Sequence, residues 1–169
     1  MEKKCIIVGS GYDLTGRGLG ERIDAGEFGD VIRISRRYGE TEDVGVRTDV
    51  MFTFMKELWD RWCVRQLGME QPLPYGKLVV MRDLPEALKH DVRLRVRPSA
   101  PTTGFYAVYW ALENGYKPTI IGFGFVNGVK ERNEKVYTNG FVDESKKHNF
   151  ALEDKYLKKL RREGRIEII

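Results

Sequence analysis

Much of what this 169-residue chain could have carried is scarce or missing. It has two cysteines, two histidines and six prolines. Cys5 and Cys63 have no spacing suited to zinc or thiol redox chemistry, and Cys5 sits in the apolar run Cys5-Ile6-Ile7-Val8, where a reduced, buried thiol is expected. No apolar stretch approaches the roughly 18 residues of a membrane span, and no signal peptide precedes the first strand, so the expected setting is cytoplasmic. Asp-x-Asp, a common metal-binding pair, occurs nowhere. Repeats and low-complexity tracts are also missing. These absences exclude a disulfide scaffold, a zinc module, a membrane span and a repeat array.

What is present is an ordinary globular composition, 41% hydrophobic and 32% charged, with 29 basic and 25 acidic residues for a net charge of +4. That excess suits anionic ligands such as nucleotides and does not by itself argue for nucleic acid. The length fits one domain, residues 1–169. Apolar β-branched runs alternate with helical stretches, the pattern of an α/β fold with a mainly parallel sheet. The predicted strands are Cys5–Val8, Val31–Ile34, Lys77–Met81, Val92–Val96, Thr119–Phe123 and a final Arg165–Ile169. The predicted helices are Phe54–Leu67, Leu84–His90, Thr103–Asn114 and Phe150–Arg162. Residues 127–147 are polar and aperiodic; a segment of that length is read equally as an active-site loop or as a surface excursion.

Four segments carry candidate chemistry. The first strand runs into Gly9-Ser10-Gly11, with Gly16, Gly18 and Gly20 beyond. Glycines at the carboxyl end of a first strand let backbone N–H groups approach a phosphate, and they also simply turn a chain. A dinucleotide fingerprint places a third glycine where Leu14 stands, and the phosphate-loop Lys-Ser/Thr is missing. Pro101-Thr102-Thr103-Gly104 precedes an apolar helix, offering either an anion site or ordinary threonine capping. His148 stands before a helix that Asn149 can cap, with Glu153 five positions on; a histidine with a nearby carboxylate is a candidate general base, and such pairs are also often structural. Arg93, Arg95 and Arg97 alternate along a predicted strand, either as an anion-guiding stripe or as a solvated face.

The order and wording of these segments are more specific than any one of them. Cys5-Ile-Ile-Val-Gly-Ser-Gly, continuing through Gly20, Ile23-Asp24, Val31-Ile-Arg-Ile-Ser35 and Asp43-Val-Gly-Val-Arg-Thr48, resembles the large sialyl motif of animal-type sialyltransferases. Pro101-Thr-Thr-Gly-Phe through Ile121-Gly-Phe-Gly124 is similar to their small motif, and His148-Asn-Phe-Ala-Leu-Glu153 to their very small motif. The resemblance implies an inverting, metal-independent glycosyltransferase with a Rossmann-like, variant GT-A core. Its donor would be sialic acid or another sugar linked to CMP, with no separate cofactor. Gly9, Ser10, Gly11, Ser35, Thr102, Thr103, Gly104, Gly122 and Gly124 would contact the nucleotide, and His148, with Glu153, would serve catalysis.

The chain departs from the family at several points. Ser10 and Ser35 stand where asparagine is usual. The third motif's histidine is missing near Lys135-Val-Tyr137, which leaves Tyr137 and Lys135 as candidates to stabilise the phosphate. The cysteine that pairs with the one matching Cys5 falls at Gly115, so no disulfide is expected, and neither is an anchor or stem. A minimal soluble version from a bacterium or a virus is the expectation. The acceptor would be a glycan or a small molecule. Competing readings are a Rossmann-type nucleotide-binding protein without transferase activity, and a phage-type transferase acting on modified DNA bases.

Overall fold

The computed structural model describes residues 2–9, 11–14, 16–34, 41–54, 75–123 and 148–169. Among these residues six strands form one sheet: β1 (Lys3–Val8), β2 (Asp30–Ile34), β3 (Val50–Thr53), β4 (Lys77–Val80), β5 (Tyr116–Ile121) and β6 (Glu167–Ile168). Their spatial order is β4-β3-β2-β1-β5-β6. All five pairings are parallel, with Ile6 opposite Val31 on one side of β1 and Thr119 on the other. A mainly parallel sheet in an α/β fold is the class expected from the sequence.

Parallel strands are covered on both faces, which is why Cys5–Val8 of β1 is apolar at every position and Ile120 and Ile121 of β5 are both buried. Cys5 and Ile7 face the larger core, built with Ile32, Phe52, Phe105 and Leu157. Ile6 and Val8 face the smaller one, with Leu14, Ile23, Val31 and Ile121. Each fully buried side chain of this size contributes about 1.5–3 kcal/mol relative to exposure. The Cys5 thiol is free and buried, and burial pushes it up to about 12, so it stays a protonated apolar filler, as read from the sequence.

The helices are α1 (Gly20–Asp24), α2 (Thr41–Val44), α3 (Glu86–Arg95), α4 (Thr103–Glu113) and α5 (Phe150–Arg162). Ile23 of α1 and Val44 of α2 pack on the smaller core, and α3 to α5 pack on the larger. Every residue of α4 from Gly104 to Ala111 is buried, as its all-round apolar sequence requires. Among the described residues no helix is long and apolar enough to cross a membrane.

The structure corrects the predicted strand Val92–Val96, which is the second half of α3 and the turn after it. Its alternation with arginines imitates period 2, but Leu88, Val92 and Val96 are all buried and recur every four residues, which is a helical stripe. An Asp91–Arg95 pair, 2.9 Å apart, ties one turn of that helix to the next. The arginine stripe disappears with the strand. The Arg95 guanidinium lies 4.9 Å from the Tyr109 ring centroid and 5.7 Å from that of Tyr156, joining α3 to α4 and α5. Strand β3 goes unpredicted from the sequence: four buried residues show no periodicity, and the run merges into the helix predicted from Phe54. That helix beyond Phe54, Cys63 and the 127–147 segment lie outside the described residues.

Candidate active site

In a sheet of this order the chain leaves β1 toward β2 on one side and is joined by β5 on the other. Ligands in such folds bind in the crevice beyond the carboxyl ends at that switch point. Gly9 follows β1 and Gly122 follows β5, so two of the glycines singled out in the sequence meet there. The Gly9 N–H donates to the Ile121 carbonyl at 2.8 Å, and the Gly11 N–H to the Gly122 carbonyl at 2.7 Å. A Cβ on Gly9 would stand 2.4 Å from the Gly122 oxygen, closer than any real contact allows. At Gly122, φ is 74° and a Cβ would lie 2.9 Å from the Leu14 side chain.

These glycines therefore serve close backbone packing. The Gly16 and Gly18 N–H groups further along the loop are also engaged within the protein, each donating to the Asp43 carboxylate at 2.9 Å. Phe123 continues the packing. Its ring lies 3.1 Å from a Cβ built on Gly9 and 3.0 Å from one built on Gly104, where Ile34 at the end of β2 also closes in at 3.3 Å. Gly104 thus lets the first turn of α4 settle against the carboxyl edge of the sheet.

That first turn is polar. Thr102 caps α4, its Oγ1 accepting from the Phe105 N–H at 3.1 Å, while its carbonyl accepts from Tyr106 at 3.1 Å. The N–H groups of Thr103 and Gly104 stand at the positive end of the helix dipole with no acceptor among the described residues. Thr102 is itself held from α5. Its N–H donates to Glu153 Oε1 at 2.7 Å, and its hydroxyl lies 2.6 Å from Oε2. Glu153 is completely buried, and burial pushes its carboxyl up to about 7, against the opposing effect of the Thr102 hydrogen bonds and the His148 charge.

His148 begins the same segment. Asn149 caps α5, its side chain accepting from Leu152 N–H at 3.1 Å, as the sequence suggests. Glu153, Leu157 and Leu160 form the buried stripe of α5, so the stripe that docks the helix also delivers Glu153 to Thr102. Nδ1 of His148 lies 2.7 Å from the Ala100 carbonyl oxygen. A carbonyl only accepts, so in the neutral ring Nδ1 carries the proton and Nε2 is the basic nitrogen.

The structure therefore brings together Gly9, Gly11, Gly104 and Gly122 at one point, and Thr102, Glu153 and His148 at the adjoining one; Thr103 links them at the start of α4. Ser10, Ser35, Gly124, Lys135 and Tyr137 lie outside the described residues. Sequence reading selects the His–Glu pair, but the carboxylate's hydrogen bonds go to Thr102, and His148 acts on Glu153 coulombically. The packing roles of Leu14 and Phe123 and the Ala100 carbonyl go unanticipated. Phe123 had one available signal, an aromatic between two glycines directly after a buried strand.

The same fold occurs in known proteins. The model of the family described as glycosyltransferase family 29 (sialyltransferase) matches residues 2–71, which include the first glycine loop but neither α4 nor α5. Two crystal structures of a mammalian sialyltransferase share the fold at 18% identity and cover 99% of this chain. One, in complex with Gal-beta-1-3GalNAc-ortho-nitrophenol, has a TM-score of 0.59 over 69% of its own chain. The other has a TM-score of 0.63 over 68%. No curated protein matches significantly. In sequence over residues 2–71 and in fold over nearly its whole length, the chain is sialyltransferase-like, and that likeness supports a glycosyltransferase.

Proposed function

We propose that this protein transfers a sugar from a CMP-linked donor to an acceptor hydroxyl with inversion, without a divalent metal, and with His148 as general base. The observation that carries the reading is the Nδ1–Ala100 contact of 2.7 Å, which fixes the imidazole with its basic nitrogen at Nε2. An acceptor hydroxyl becomes a competent nucleophile as a base takes its proton. Its oxygen then forms the new bond to the anomeric carbon from the face opposite CMP, and the bond from that carbon to the phosphate oxygen breaks.

CMP leaves with negative charge on its phosphate. The Thr103 and Gly104 N–H groups at the α4 terminus suit that charge, and the switch-point crevice beside Gly9 and Gly122 suits the nucleotide. Glu153 acts as a positioning residue, holding Thr102 and hence the helix start in place beside the base. The acceptor is a glycan or another hydroxyl-bearing small molecule.

A thermal-shift panel tests the donor reading. Native-state binding raises the melting temperature, so CMP should raise it more than UDP, GDP or NAD. Equal shifts, or a preference for NAD, would sink the reading. Metal independence has its own test: turnover should persist in EDTA, and activity lost to chelation and restored by magnesium or manganese would overturn it.

A further inference from the structure

The glycine loop after β1 is fastened at both ends. Near the site, the Gly9 and Gly11 N–H groups donate to the carbonyls of Ile121 and Gly122 at the end of β5, and Leu14, 1% exposed, wedges against Gly122. At the far end, Gly16 and Gly18 take left-handed conformations, φ 75° and 59°, around Arg17. Successive N–H groups in such a turn converge into a concavity that binds an anion. Here the anion comes from within the protein: both oxygens of Asp43, a buried residue of α2, accept from Gly16 and Gly18 at 2.9 Å. Those bonds, Gly18's foremost, hold the Asp43 carboxyl below its usual range. The pairing is reciprocal, because Asp24 of α1 accepts from the Val46 and Arg47 N–H groups beyond α2 at 2.8–3.0 Å.

We infer that Asp43 is a positioning residue for the donor site, occupying the loop's own anion nest so that Gly9, Gly11 and Leu14 stay pressed against Gly122. The inference rests on the donor reading above. It also means that the Gly16 and Gly18 N–H groups do not take the donor phosphate, which is left to the start of α4. With both ends fixed, the loop arrives at the crevice already ordered, and the nucleotide does not have to order it. Loosening the clamp should therefore weaken donor binding without touching the base.

Two readings of Asp43→Asn separate these possibilities. The variant keeps the shape but loses the charge and one acceptor, so Kd for CMP should rise about tenfold, with kcat at saturating donor within about twofold of wild type. Trypsin should cut faster after Arg17, which is exposed between the two clamped glycines. Asp43→Ser, which removes both carboxylate oxygens and the charge while leaving the two glycines in their left-handed conformations, should reproduce both effects and covers the case in which Asp43→Asn does not fold. Unchanged Kd and unchanged cleavage would overturn the inference, as would a fall in kcat with Kd unaltered. If wild-type protein fails to bind CMP, the donor reading falls, and the cleavage comparison still decides whether the clamp exists.

Discussion

Two neighbouring regions of the candidate site are built on opposite principles. At the β1–β5 switch point, main chain meets main chain, and the glycines leave no room for a methyl group. At the junction of α4 and α5, side chains meet: a hydroxyl, a carboxylate and an imidazole arranged by hydrogen bonds of 2.6–2.7 Å. The first region depends on shape and is indifferent to pH. The second tolerates isosteric change in shape but depends on protonation. A pocket floor needs the first property and a proton-transfer site needs the second, so substitutions should separate them by the kind of damage done.

The largest expected effect lies in the polar region and is purely kinetic. His148→Ala should reduce turnover by roughly 10²–10⁴-fold, the usual worth of a positioned base, while leaving CMP affinity nearly unchanged. A variant with near-normal turnover, or one that loses melting temperature and CMP binding together, would place His148 among the structural residues instead.

The packed region should fail through stability. Gly122→Ala meets both a left-handed φ of 74° and Leu14 at 2.9 Å, and should cost about 2–4 kcal/mol in denaturant unfolding. Gly16→Ala, at a similar φ of 75° with open space around it, carries the conformational penalty alone, about 1–2 kcal/mol. Equal losses at the two positions would mean that Gly122 is required only for its backbone angle, and close packing would no longer set the switch point apart.

How much of this could be read from the chain follows the same division. Motif order and apolar runs point to the sheet, α4 and α5, because buried strands and an all-apolar helix write their burial directly into composition. Local chemistry announces the caps at Thr102 and Asn149. What the sequence conceals is partnership across distance. Glu153 lies 51 positions from Thr102 and His148 lies 48 from Ala100, and no local pattern says which contact each makes. Asp43 likewise looks like any acid in a short helix until Gly16 and Gly18 are seen to point at it. The misreading of α3 has a different source: alternating arginines satisfy a strand pattern, while the stripe of Leu88, Val92 and Val96, which decides the outcome, has to be read at period 3.6.

The effect most specific to the polar region is a pH dependence of stability carried by Glu153. Its carboxyl titrates at about 7 in the folded protein, against 4.5 for an ordinary glutamate. Between those values the folded state holds a proton that the unfolded state has released. The stabilisation is therefore complete below pH 4.5 and is lost as pH rises toward 7, an effect of at most about 3 kcal/mol. The geometry survives the change, because the protonated acid can donate to the Thr102 hydroxyl and the carboxylate can accept from it, while the Thr102 N–H keeps its acceptor throughout. Glu153→Gln has no proton to exchange, so its unfolding free energy should lose this slope, and the difference between variant and wild type should change steadily from pH 4.5 to 7. Parallel curves for the two proteins across that window would show that this carboxyl is not raised, and the charged form would then have to be stabilised by Thr102 and His148 at least as strongly as burial opposes it.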